Sequence, residues 1–240
     1  AGIPPGFSVV EPEEEGALKR RIWDEHLEES EGSPHADALS EVGVEIADLY
    51  NFYSDWCGFC DLPLAASNTS DLQVPDLEPA MEEIHSFIDT WASIAPSSDP
   101  DGLTKLFEKT RLLKSQGALE DPIVKYNLLN DFASVAEKKS VTYTRWEDTS
   151  RSDRLRQEGG PLDELHASLH PTVRAWKEYV HAHASSFVEE AVRDRYYRAG
   201  YDYGTLTFQH LLLYTRDLLQ TSPEVREELQ DRYETVLVDE

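Results

Sequence analysis

The chain has 240 residues, 40% of them hydrophobic, enough to bury roughly 70–75% of its unfolded surface without disulfides or a structural metal. Its 47 acidic and 22 basic residues leave a formal charge of −25, which argues against nucleic acid as a direct partner and against docking on an anionic membrane. Arginine outnumbers lysine, and an acid-rich, lysine-poor surface suits a basic protein partner or a high-salt environment, where screening relieves self-repulsion.

Residues 1–12 contain Pro4-Pro5 and no periodicity, and read as an extended arm. Ala1–Pro5 has the character of neither a signal nor a transit peptide, and without Met at position 1 the chain reads as a processed form. A cytoplasmic location is slightly favoured, with the compartment left open. A first helix is expected from about Glu13 to Glu29, with Leu18, Ile22 and Leu27 inward. The most regular stretch follows: Leu39, Val42, Ile46, Leu49, Tyr53, Trp56 and Cys60 step by three and four, which predicts one helix. Ser33-Pro34 opens it and Pro63 closes it. Asn68-Thr69-Ser70 fits a glycosylation sequon, a triplet common by chance.

Asp76 caps a helix with the stripe Leu77, Met81, Ile84, Ile88 and Trp91. Leu103, Leu106, Thr110 and Leu113 carry the next, ended by Gly117, and Asp121-Pro122 starts another with Leu128 and Phe132 inward. Residues 138–160 are polar and locally basic, and read as a connecting loop whose arginines pair with acidic helices of the same chain. A short helix is expected over Leu162–Leu169 and a long one from about Pro171 to Arg198. A helix over Gly204–Gln220 is apolar around nearly its whole circumference and should be enclosed, either as the central helix of the domain or with one face covered by another chain, and Ser222-Pro223 caps a last helix ending near Leu237. The expected architecture is all-α, a multi-helix bundle or irregular orthogonal packing of about seven to nine helices. An N-terminal helical part (13–137) and a C-terminal one (161–240) flank the 138–160 loop in what reads as one compact domain. No apolar run approaches the roughly 18–20 residues of a membrane span.

Phe52–Cys60, with Trp56-Cys57-Gly58-Phe59-Cys60, resembles the active-site segment of thioredoxin-like oxidoreductases over nine residues. That resemblance implies a Cys57/Cys60 redox pair at a helix start, where the dipole lowers a thiol's pKa. The upstream spacing is helical instead, which places the cysteines at a helix end and predicts structural thiols. Glu82-x-x-His85 and Glu178-x-x-His181 resemble the ligand pairs of di-iron four-helix bundles. The helical wheel turns Glu82 about 140° and Glu178 about 170° from their core stripes. His166 and His170 stand four apart with imidazoles spaced for a transition metal. Arg174-x6-His181 resembles the signature of the all-helical HEPN-type ribonucleases, in a chain too acidic to attract RNA.

No catalytic constellation converges in the sequence, and no cofactor is expected. The C-terminal third holds Tyr196, Tyr197, Tyr201, Tyr203, Phe208 and Tyr214 within nineteen residues. Tyrosine buries area while keeping a polar tip, so these tyrosines are the expected partner-binding residues. The resulting expectation is a non-enzymatic interaction module: an adaptor, a chaperone-like binder or an accessory subunit. The alternative is a metal- or thiol-dependent enzyme.

Overall fold

The computed structural model describes residues 7–62, 64, 69–96 and 98–233. Its α-helices are α1 (Pro12–Glu29), α2 (Pro34–Glu41), α3 (Tyr50–Trp56), α4 (Glu78–Trp91), α5 (Gly102–Ser115), α6 (Pro122–Glu137), α7 (Thr149–Asp153), α8 (Pro161–Glu190), α9 (Ala199–Asp202), α10 (Phe208–Thr221) and α11 (Pro223–Arg232). The only strands among the described residues are β1 (Ser8–Val9) and β2 (Thr205–Leu206), paired in parallel. The fold is all-α, as expected. The helix count exceeds expectation because short segments such as α3, α7 and α9 interrupt stretches that read as loop or longer helix. No helix among the described residues is long and apolar enough to cross a membrane. Pro63, the sequon at Asn68 and the chain end near Leu237 lie outside the described residues, as do residues 1–6 of the expected arm.

Contacts divide the chain into two compact units. One comprises Ala1–Ser33, Ile46–Ala66 and Ser185–Glu240, the other Pro34–Glu45 and Ser67–Ala184. The expected seven-residue stripe does not form one helix. α2 stops at Glu41, where Gly43 adopts φ +80° and Val44 N donates to Leu39 O at 2.9 Å, a Schellman closure. A Cβ on Gly43 would stand 3.0 Å from Ile123 Cγ1, so space as well as conformation calls for glycine. The periodicity continues across this break by coincidence of spacing. Leu39 and Val42 serve the second unit, and Tyr53 and Cys60 serve the first.

In the first unit, α1 carries Leu18, Ile22, Trp23 and His26 inward at three- and four-residue steps. Trp23 stacks on Tyr53 at 4.9 Å and meets Phe187 edge-on at 5.8 Å. α8 continues through Pro171 without a break, where two helices were expected. Buried Leu169 and Val173 flank the proline, and their packing supports the turn that lacks its amide. Beyond Glu190 the helix widens into a π-helical segment, Ala191–Tyr196.

In the second unit, α4, α5, α6 and the first part of α8 enclose a core that includes Ile84, Phe107, Leu128, Phe132 and Leu169. The 138–160 stretch belongs to this core, since Val141, Trp146, Ser152 and Leu155 are buried. Most of its cations are satisfied locally. Arg145 pairs with Asp99 at 3.0 Å, Lys139 with Asp163 at 2.9 Å, and Arg151 lies over the Trp91 ring. The tie between this stretch and α5 is Asp101. Its carboxylate accepts from Thr104 N (3.0 Å), Thr104 Oγ1 (3.0 Å), Thr142 N (2.9 Å) and Trp146 Nε1 (2.8 Å). Burial alone would raise its pKa, but the donors from Trp146, Thr104 and Thr142 outweigh that and hold it below its ordinary value.

Asp101→Ala is expected to destabilise the protein by about 3–5 kcal/mol, through a lost N-cap and two buried donors left without partners. Asp101→Asn, which keeps one acceptor oxygen, should cost about half as much. Urea midpoints of the two variants check the ordering.

His26 is buried between Trp23 and Phe187, its Nε2 3.2 Å from Phe187 O. Burial first, and the nearby Arg195 charge second, push its pKa down to about 4, against the pull of Phe187 O, Glu29 and Asp194. The unfolded imidazole takes a proton near 6.5. Between these values the unfolded state binds more protons, so stability is full above about 6.5 and falls as the pH drops towards 4. The loss reaches at most about 3 kcal/mol. His26→Gln should flatten this part of the stability–pH curve relative to wild type, and an unchanged slope would show that other groups govern it.

Candidate functional site

The described residues place the sequence candidates apart. Cys57 and Cys60 lie in the 3₁₀ turn after α3, buried at 0% and 3% exposure. Burial pushes the Cys57 thiol up to about 12 and the Cys60 thiol up to about 11, opposite to what a redox nucleophile requires. Glu82 is exposed on α4, and Glu178 is exposed and bonded to Arg174 at 2.7 Å. His181 is exposed as well, and although His85 is half-buried its partner Glu82 is not, so neither Glu-x-x-His pair converges on an interior. His166 Nδ1 sits 3.2 Å from Ala133 O, with the His170 ring 5.2 Å away. Among the described residues no three His, Cys, Asp or Glu side chains converge as a metal-binding group.

The tyrosines divide into supports and surface. Tyr196 is fully buried, its hydroxyl donating to Glu15 at 3.1 Å and its carbonyl meeting His210 Nε2 at 2.8 Å. Tyr214 is buried too, and donates to Tyr197 O. Neither can present a face to a partner, which corrects the sequence expectation for both. Their aromatic area goes into holding α10 against the π-helical segment. Tyr197, Tyr201 and Tyr203 stay accessible. Tyr203 donates to Glu25 and Tyr197 to Asp217. That bond comes first among the causes that keep the Asp217 carboxyl below its ordinary value.

Tyr197 and Tyr201 line a cleft of about 570 Å³ with Asp61, Arg193, Arg198 and Arg216. Arg216 reaches Asp61 at 2.5 Å and Asp217 at 2.8 Å, and so ties α10 to the turn that carries the cysteines. Gln209 Nε2 donates to Gly58 O at 3.3 Å and makes the same link one level up.

The exposed face of α10 is next to this link. α10 begins at a capping box between Thr207 and His210 and buries His210, Leu213 and Tyr214. At about 100° per residue, Phe208 and Leu212 lie on the opposite side. They are 70% and 52% exposed, so the helix is not enclosed all round as its composition suggested. Phe59 and Leu62, on the turn that Gln209 and Arg216 grip, are also more than half exposed. Phe52, Trp56 and Phe59 form a ring series at 6.4 and 5.8 Å leading to that turn. The signal in the sequence was the pair Phe208 and Leu212, one turn apart and opposite His210.

Comparison of the chain with protein-family models, curated proteins and solved structures yields no match. The functional reading therefore rests on the site itself.

The buried thiols should react slowly. At pH 8, alkylation of Cys57 and Cys60 by iodoacetamide is expected to be at least about tenfold slower than in the urea-unfolded chain, whose thiols titrate near 8.5. Equal rates in the two states would show the thiols to be activated.

Proposed function

We propose that the chain is a non-enzymatic protein-interaction module, an adaptor or accessory subunit, that docks a basic amphipathic segment of a partner on the first unit. The observation that supports this reading most is the exposure of Phe208 and Leu212 on one face of a well-capped helix. Leaving such side chains in water forgoes about 1.5–3 kcal/mol each, and contiguous apolar exposure of this kind marks interaction surfaces. Asp55 and Asp61 are exposed on the neighbouring segment, and the whole chain carries a charge of −25, so the complementary partner combines apolar residues with lysine or arginine. Tyr201 and Tyr203 add aromatic area with polar tips at the rim. The enzyme alternative loses support from the buried, unactivated thiols and the scattered carboxylates and imidazoles.

The test uses a fluorescent, helical, basic amphipathic peptide and its charge-reversed counterpart, titrated by anisotropy. The basic peptide is expected to bind, and Phe208→Glu with Leu212→Glu should weaken it at least about tenfold without moving the melting temperature. Binding that ignores the two substitutions would reduce the interaction to bulk charge attraction and refute the proposed face. Should wild type sediment as a dimer and the double variant as a monomer, the occupant of the face is a second copy.

A further inference from the structure

The second unit has a cleft of its own, about 420 Å³, between α4, the turn that follows it and α5. Ile88 and Ala92 provide apolar lining. His85 and Asp89 approach from α4, and Arg111 and Lys114, three apart and so on one face, approach from α5. In this acidic chain some cations are taken up by carboxylates. Lys109, on the same helix, pairs with Asp131 at 2.7 Å, and Lys125 pairs with Glu78. Arg111 and Lys114 belong to the cations, Lys105 among them, whose side chains make no ion pair or hydrogen bond with any described residue, and these two line one cleft although Asp89 lines it as well. The imidazole of His85 has its Nε2 buried, also without a hydrogen-bond partner among the described residues. Enclosing a ring nitrogen without a partner is unfavourable unless something supplies the missing bond.

Two open cations and a half-buried imidazole around one cleft match the requirements of a tetrahedral oxyanion. We propose that this cleft binds a small phosphate monoester. The Arg111 guanidinium presents a fork of N–H donors that fits two phosphate oxygens, and Lys114 adds a point charge. His85, half-buried on the same wall, turns the accessible side of its ring to the phosphate. Asp89, an acceptor only, takes a hydroxyl of the group that carries the phosphate and favours a hydroxylated ester over the bare anion. The cleft falls in the size range of small-molecule sites, about 300–1,000 Å³. The assignment does not depend on the interaction face proposed for the first unit.

Isothermal titration of the full chain with glycerol 3-phosphate, inorganic phosphate, glycerol and chloride tests this directly. Saturable one-site binding of glycerol 3-phosphate is expected, tighter than inorganic phosphate, with no binding of glycerol or chloride. Arg111→Gln and Lys114→Gln, both at exposed positions, should each weaken binding about tenfold while circular dichroism melts stay unchanged. Asp89→Asn should tighten inorganic phosphate and narrow the preference for the ester. The absence of saturation with either phosphate probe up to about 10 mM, weaker than any specific site of this design should be, would overturn the proposal. So would affinities indifferent to Arg111 and Lys114, or a phosphoserine peptide that binds where the free compounds do not.

Discussion

One buried carboxylate organises the second unit. Asp101 ends the approach to α5, accepts from the first turn of that helix, and reaches Thr142 and Trp146 some forty residues later. Without it, a helix N-terminus and an indole N–H would be buried without an acceptor, and the part-buried Thr142 amide would lose its partner. Because Trp146 meets Phe107 edge-on at 6.3 Å, the same bond sets how α5 seats Phe107 in the core. The wall of the cleft that carries Arg111 and Lys114 is the far end of this anchored helix. A carboxylate that would resist burial by itself thus becomes the fixed point from which a core and a cleft are measured.

The excess of negative charge shapes the rest. Most of the ion pairs are exposed or half-exposed, such as Arg174 with Glu178 and Lys109 with Asp131, and pairs of this kind contribute little stability individually. Their effect is local: they neutralise a crowded acidic surface and orient side chains, as Arg216 does between Asp61 and Asp217. Stability comes from the aromatic clusters, Trp23 with Tyr53 and Phe187 in one unit and Phe107 with Phe132 and Trp146 in the other. Against that background the informative groups are those left unused. Phe208 and Leu212 are apolar and uncovered, and Arg111 and Lys114 are cationic and unpaired among the described residues. An uncovered apolar pair suits a protein partner and an unpaired cation pair suits an anion, so the two units carry surfaces of different chemistry.

Local chemistry was readable in the chain alone. Asp121-Pro122 and Ser222-Pro223 mark helix starts because a short polar side chain accepts from the first-turn amides and proline already holds the helical φ. The stripe from Leu77 to Trp91 and the stop at Gly117, with its φ of +67°, follow from the same near-neighbour rules. The all-α class follows from summing such signals.

What only the tertiary structure decided is where a regular pattern stops being one object. Leu39 to Cys60 keeps an unbroken three-and-four rhythm, yet Gly43 turns left-handed against Ile123, a residue eighty positions away that no local rule can see. Tyr196 and Tyr201 are alike in the sequence, but a bond to Glu15 draws one into the interior and the other remains at the surface. Asp101 carries no local mark of its anchoring role because its partners Thr142 and Trp146 are distant in the chain. Phe208 read as enclosed because composition counts apolar residues without saying which side finds a neighbour. Helix starts and stripes depend on atoms a few residues apart, and the sequence determines them. Burial, pairing and exposure depend on which distant segment arrives, and that is settled only when the chain closes on itself.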